Sequence, residues 1–167
     1  MDEFRKAAPI QVCQPPYNIF ERGVEEDVMP YCRTHNIALM TYGVLCRGLL
    51  SGKMKRDMEF PGDDLRSMDP KFNPPRYEQY LRAVDALDKF AQENFGKNVI
   101  HLAARWALDQ DIDIALWGAR RPDQLDALNG VMGWKLDKDS IAEIENIVLN
   151  NVDEEVGPEF MAPPARV

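Results

Sequence analysis

The residues best suited to chemistry sit in Ala38-Leu-Met-Thr-Tyr42-Gly-Val-Leu-Cys-Arg47-Gly-Leu-Leu-Ser-Gly-Lys53. A short apolar run ends at Tyr42, and Gly43, Gly48 and Gly52 punctuate the loop behind it. Glycines let backbone N–H groups approach phosphate oxygens, and an aromatic at a strand's end offers a stacking face. The pattern suits a flat, phosphate-bearing cofactor. A second stretch of note is Gly118-Ala-Arg120-Arg121, a tight basic loop, with Pro122 well placed at the first position of a helix. Metal chemistry finds no support, because Cys13, Cys32, Cys46, His35 and His101 form no ligand-spaced cluster.

The elements that must position these residues alternate. Met1–Ala7 reads as the last turns of a helix, and Ile10–Gln14 as a buried strand that Pro15-Pro16 stops. Glu21–Thr34 has a helical stripe, and Pro30 inside it should kink it or delay its regular part. The continuous apolar run Ile37–Thr41 reads as a strand covered on both faces. A long connection from Gly43 to Pro75 precedes a helix over Arg76–Phe95, which Gly96 ends. Asn98 caps a helix to Asp109. Ile112–Trp117 is a third strand, Pro122 starts a helix to about Met132, and Asp137 or Asp139 caps the last one. The tail Gly157–Pro164 reads as an extended segment.

Strand–helix alternation implies an α/β fold with a parallel sheet. Three strands leave two open edges, so the pattern predicts part of a larger sheet. Gln14, Tyr42 and Gly118 all end strands.

The chain has 167 residues, enough for one domain, with 45% apolar and 29% charged residues. Its net charge of −8, without any basic run, argues against nucleic acid. No stretch approaches the roughly 20 apolar residues of a membrane span. The charged Met1–Lys6 start lacks a signal-like apolar core, and three irregularly spaced cysteines suggest free thiols. A cytoplasmic protein is expected.

Three motifs in this order resemble the aldo/keto reductase family: Gln14-Pro-Pro-Tyr-Asn18 with Glu21-Arg22; Thr41-Tyr-Gly43 through Gly48-Leu-Leu-Ser-Gly-Lys53; and Trp117-Gly-Ala-Arg-Arg-Pro-Asp-Gln124-Leu125. Ala104-Arg-Trp-Ala-Leu108 occupies the family's usual place between the last two. The ending Gly157-Pro-Glu-Phe-Met-Ala-Pro-Pro164 resembles its bacterial YhdN-like general stress reductases. The resemblance implies a (β/α)8 TIM-barrel fold, of which the strands here resemble the sixth to eighth: a carboxy-terminal half-barrel over residues 1–167, with ligands at the strands' carboxyl ends.

It implies NADP(H) as cofactor. By resemblance Gln14 meets the nicotinamide carboxamide and Tyr42 stacks on the ring. The backbone of Gly43, Leu45, Cys46, Arg47 and Gly48 lines the pyrophosphate with Lys53 nearby, and Gly118, Arg120 and Gln124 meet the 2′-phosphate end. Where the family usually has an adenine-contacting Asn, this chain has Leu128, with Asn129 next. The family's proton-donating tyrosine and its Asp, Lys and His partners come from the other half of the barrel and match nothing here. Three expectations follow: an inactive half of a carbonyl reductase that binds NADP(H) weakly, a non-catalytic NADP(H)- or protein-binding module, or a self-associating half-barrel. The partners expected are a second copy or the missing half, with a small carbonyl substrate only for the intact parent.

Overall fold

The computed structural model describes residues 1–153, 156 and 157. The elements run α1 (Asp2–Arg5), β1 (Val12–Cys13), α2 (Val28–Thr34), β2 (Ala38–Thr41), α3 (Arg76–Phe95), α4 (Val99–Asp109), β3 (Ile114–Ala115) and α5 (Lys138–Asn151). Short 3-10 turns occupy Cys46–Ser51, Leu65–Met68, Pro70–Phe72 and Pro122–Gly130, so the long Gly43–Pro75 connection is largely structured.

The sheet is parallel in the order β1-β2-β3, with Val12 beside Ala38 and Met40 beside Ile114. Strand alternation then sets two faces. Leu39 and Thr41 point to the buried face, where α3 packs against α4 and α5 over Phe20, Tyr80, Leu87, Leu102 and Trp106. Val12 and Ile114, each 44% exposed, stand on the other face with the half-buried Ala38 and Met40. The expectation that β2 is covered on both faces is therefore corrected: one face is covered and the other is an open apolar strip.

The regular part of α2 is delayed to Val28, one of the two outcomes expected of Pro30, which lies in the first turn where its missing N–H has no partner to lose; Asp27 caps the helix. Pro15-Pro16 do not end the pairing of β1, because Pro15 supplies only its carbonyl, to Tyr42 N–H at 3.1 Å. Tyr17 then donates to the Tyr42 carbonyl at 3.0 Å.

The helices follow their sequence signals more closely. Tyr77, Tyr80, Val84, Leu87 and Ala91 form the buried stripe of α3. Its end is fixed by Gly96 at φ 62°, which lets Lys97 N–H return to Ala91 O. Asn98 and His101 form a reciprocal capping box on α4, and Asp137 caps α5 through Ser140 N–H at 2.8 Å.

Candidate functional site: the carboxyl ends of the strands

Three strand ends lie side by side because the ladder continues beyond the regular strands. Pro16 bridges Tyr42, and Leu116 N–H donates to Thr41 O at 2.8 Å. Gln14 and Gly118 are exposed, and Tyr42 is half-buried between them in strand order. Burial raises the Tyr42 hydroxyl, with Glu21 adding to the shift and Arg47 opposing it.

The loop behind Tyr42 is tightly bent. Gly43, Cys46, Arg47 and Gly48 all have positive φ, at 71°, 46°, 52° and 92°. For Cys46 and Arg47 this conformation is strained, and such strain concentrates at functional sites. Cys46 N–H closes a turn onto Gly43 O at 2.7 Å, and Gly48 N–H onto Leu45 O at 2.9 Å. Two of the loop's five candidate pyrophosphate groups thus already serve the loop itself. The Cys46 side chain is fully buried, and burial pushes its thiol well above the usual range. Leu45 is half-buried and Lys53 exposed.

Four charged side chains brace this loop from behind. Glu21, Asp69 and Lys71 are essentially inaccessible, and the Arg47 side chain is 16% exposed. Lys71 Nζ lies 2.7 Å from Glu21 Oε1 and 3.1 Å from Asp69 Oδ2, while Asp69 Oδ2 lies 3.4 Å from Arg47 Nε. Burial works against the Lys71 charge, but the neighbouring Cys46 and the carboxylates Glu21 and Asp69 together outweigh it and hold the ammonium above its ordinary range. Burial pushes Glu21 up, with Lys71 and Asn18 pulling it back. Asn18 Nδ2 joins the set, donating to Glu21 Oε2 at 2.5 Å and to Gly43 O at 3.0 Å.

Asp69 and Lys71 carried no sequence signal for the site. They sit in the Gly43–Pro75 connection, which its length alone marks as functional without singling out a residue, 50 residues from Glu21 in the case of Lys71. The one available hint was a charge flanked by core residues, as in Ile19-Phe20-Glu21 and Lys71-Phe72.

The third component is the turn after β3. Gln124 Oε1 accepts from Arg120 N–H at 2.7 Å and Arg121 N–H at 3.1 Å, and its carbonyl accepts from Trp117 Nε1 at 3.1 Å. Gln124 therefore shapes the loop that presents Arg120, whose side chain is exposed. Arg121 is paired with Asp123 at 3.0 Å. Leu128 and Asn129 are exposed.

Electrostatics places these pieces on one side of the molecule. Asp64 is held down to about 2 mainly by the hydrogen bond from Arg66, with Arg120 contributing. Asp123 is lowered first by Arg121, with Lys53 adding its field. The loop after β2, the segment around Asp64 and the turn after β3 are thus neighbours. Two concavities lie elsewhere, one at the strands' amino ends beside Lys6 and His35, the other between Arg22, Trp106 and Glu145.

A phosphate-bearing cofactor fits these strand ends on one test of the glycines. An ideal Cβ on Gly118 meets nothing within 4 Å, and its φ is not positive, so the protein's own packing does not demand glycine there. Glycine there leaves room for a ligand to approach the backbone. Metal ligation has no counterpart: among the described residues no group of three His, Cys, Asp or Glu could hold an ion. Among them, no helix is long and apolar enough to cross a membrane.

Comparison with known proteins bears on the family and the fold. The pattern of the aldo/keto reductase family matches residues 1–149. Aldo-keto reductase YhdN of Bacillus subtilis is 55% identical over 167 residues, covering 99% of this chain and 50% of that protein. Aldo-keto reductase yakc [NADP(+)] of Schizosaccharomyces pombe is 31% identical over 149 residues, covering 84% of this chain and 43% of its own. The structure of glycerol dehydrogenase AKR11B4 from Gluconobacter oxydans superposes with a TM-score of 0.87 at 49% identity, over 97% of this chain and 49% of that one. The chain spans about half the length of the curated relatives it matches. It belongs to the aldo/keto reductase family.

Proposed function

We propose that this chain is the cofactor-holding, carboxy-terminal half of an NADP(H)-dependent carbonyl reductase. The observation that carries the reading is the braced, left-handed loop after Tyr42, set beside Gln14 and the Arg120 turn at the carboxyl ends of three parallel strands. In it Gln14 orients the carboxamide and Tyr42 stacks on the nicotinamide. Backbone groups of Gly43, Leu45 and Arg47 meet the diphosphate, with Cys46 and Gly48 holding the loop closed. Gly118 admits the adenosine end and Arg120 pairs with the 2′-phosphate, held in place by the Gln124 cap; Lys53 adds positive charge at the rim. When bound, NADPH supplies hydride to a carbonyl. Nothing in this chain matches the family's proton donor, so a small aldehyde or ketone is reduced only by the intact parent.

Co-expression with a separately encoded amino-terminal half of a related reductase tests the proposal. NADPH-dependent carbonyl reduction is expected from the pair and from neither half alone. Activity of the chain alone, or none from a pair shown to associate, contradicts it.

The open strip of Val12, Met40 and Ile114 favours a second reading, in which copies of the chain associate through that face. Light scattering decides: dimers or larger species support association, and a monomer at high concentration opposes it.

A further inference from the structure

The buried charges behind the loop are more than a neutral inclusion in the core. Both ends of the bent loop lead back to one ammonium. At the near end, Gly43 O accepts from Asn18, Asn18 donates to Glu21, and Glu21 pairs with Lys71. At the far end, Arg47 pairs with Asp69, which pairs with the same Lys71. The chain bends sharply around the far anchor, with Cys46 before it, Arg47 itself and Gly48 after it in consecutive left-handed conformations. A buried ion pair is a poor stabiliser compared with apolar packing of the same volume, so its value lies in fixing geometry. Two cations and two anions also cancel, which leaves no net field to draw in an anion.

We infer that Lys71 is a positioning residue for the diphosphate loop, clamping Gly43 and Arg47 through Glu21 and Asp69. This inference rests on the NADP(H) reading above. Lys71 itself touches no ligand: its ammonium is enclosed by protein carboxylates. It acts by keeping strained residues in the conformation that turns the loop's backbone outward. Without it the near anchor loses its charge partner, Asp69 has only Arg47, and the loop relaxes toward ordinary negative φ.

The test compares two ligands on the 167-residue chain. NADPH spans the whole site, whereas adenosine 2′-monophosphate reaches only the Arg120 end and has no 5′-phosphate to place on the loop. Lys71→Met is expected to weaken NADPH binding about ten- to hundredfold. Its affinity for the monophosphate should stay within about threefold of wild type. Amide hydrogen exchange should accelerate across residues 43–48 by more than the general loss of protection that α3 reports. Asp69→Asn, which preserves the cap on Lys71 N–H, should change the same readouts in the same direction, and it decides the question if Lys71→Met does not fold. Unchanged NADPH affinity and loop exchange in a folded variant overturns the clamp alone. An equal loss of both ligands also overturns it, since that is what a merely structural role produces. A wild-type chain that binds neither ligand overturns the cofactor reading and the clamp together.

Discussion

Replacing Lys71 by methionine should destabilise the fold sharply, and replacing its partner at the same time should restore much of the loss. Lys71 is fully buried and Glu21 is 1% exposed, so the single change strands a carboxylate where water cannot reach it. Breaking a buried pair from one side costs about 3–5 kcal/mol. At about 2–4 °C per kcal/mol for a chain of this size, the melting temperature should fall by roughly 6–20 °C. In Glu21→Gln/Lys71→Met the glutamine keeps an acceptor for Asn18 and removes the stranded charge, so the double variant should lie within about 2 kcal/mol of wild type. The cycle then yields a coupling of at least about 1 kcal/mol. The sign of the pH dependence follows from the raised Lys71 ammonium. Its own contribution is fully present below the ordinary lysine value and is lost only as pH rises through the elevated one, so Lys71 adds no pH dependence near neutrality. The buried Glu21 carboxyl, already pushed up, makes the single variant costlier as pH rises. Urea unfolding of the four proteins, monitored by circular dichroism, measures all of this. A single variant within about 1 kcal/mol of wild type, or strictly additive effects, would refute the buried pair.

Three further outcomes are expected. Gly130→Ala should cost about 1–3 kcal/mol in thermal unfolding, because its Cβ would lie 2.5 Å from the His101 ring and push that ring off the Asn98 N–H it accepts from. Arg120→Ala should leave the melting temperature unmoved, since the side chain is exposed, yet erode any preference for NADPH over NADH by about tenfold in a binding titration. Asp64→Asn should flatten the acid limb of stability. The carboxyl is held at about 2 against an ordinary 3.8 by Arg66, so its stabilisation is present above about pH 4 and fades toward pH 2. Solvent screening limits this contribution to about 1 kcal/mol or less.

Local signals were legible where local physics decides the outcome. The bounds of α3 follow from Pro75 and Gly96, and the start of α4 follows from Asn98. Strand ends were less legible. β1 and β3 are two residues each, each pairing with a different half of the four-residue β2, so the ladders are shorter than the apolar runs that announced them. The Pro15-Pro16 reading missed that a proline can still accept in a ladder. Tyr42 and its glycines were visible as a loop of unusual composition, but the clamp behind it was not. Glu21 and Lys71 meet only through the fold, and a charge on a sequence row does not declare that it is buried. Gln124 was read as a ligand contact, and its side-chain oxygen turns out to build the Arg120 turn. In the tail Gly157–Pro164, all but Gly157 lies outside the described residues.

The most direct measurement is titration of the purified 167-residue chain with NADPH, following nicotinamide fluorescence, alongside Tyr42→Ala and Arg120→Ala. A saturable change that each substitution weakens, with no carbonyl reduction by the chain alone, is the predicted result. A flat signal up to millimolar NADPH, or binding indifferent to both substitutions, would contradict a cofactor site at these strand ends.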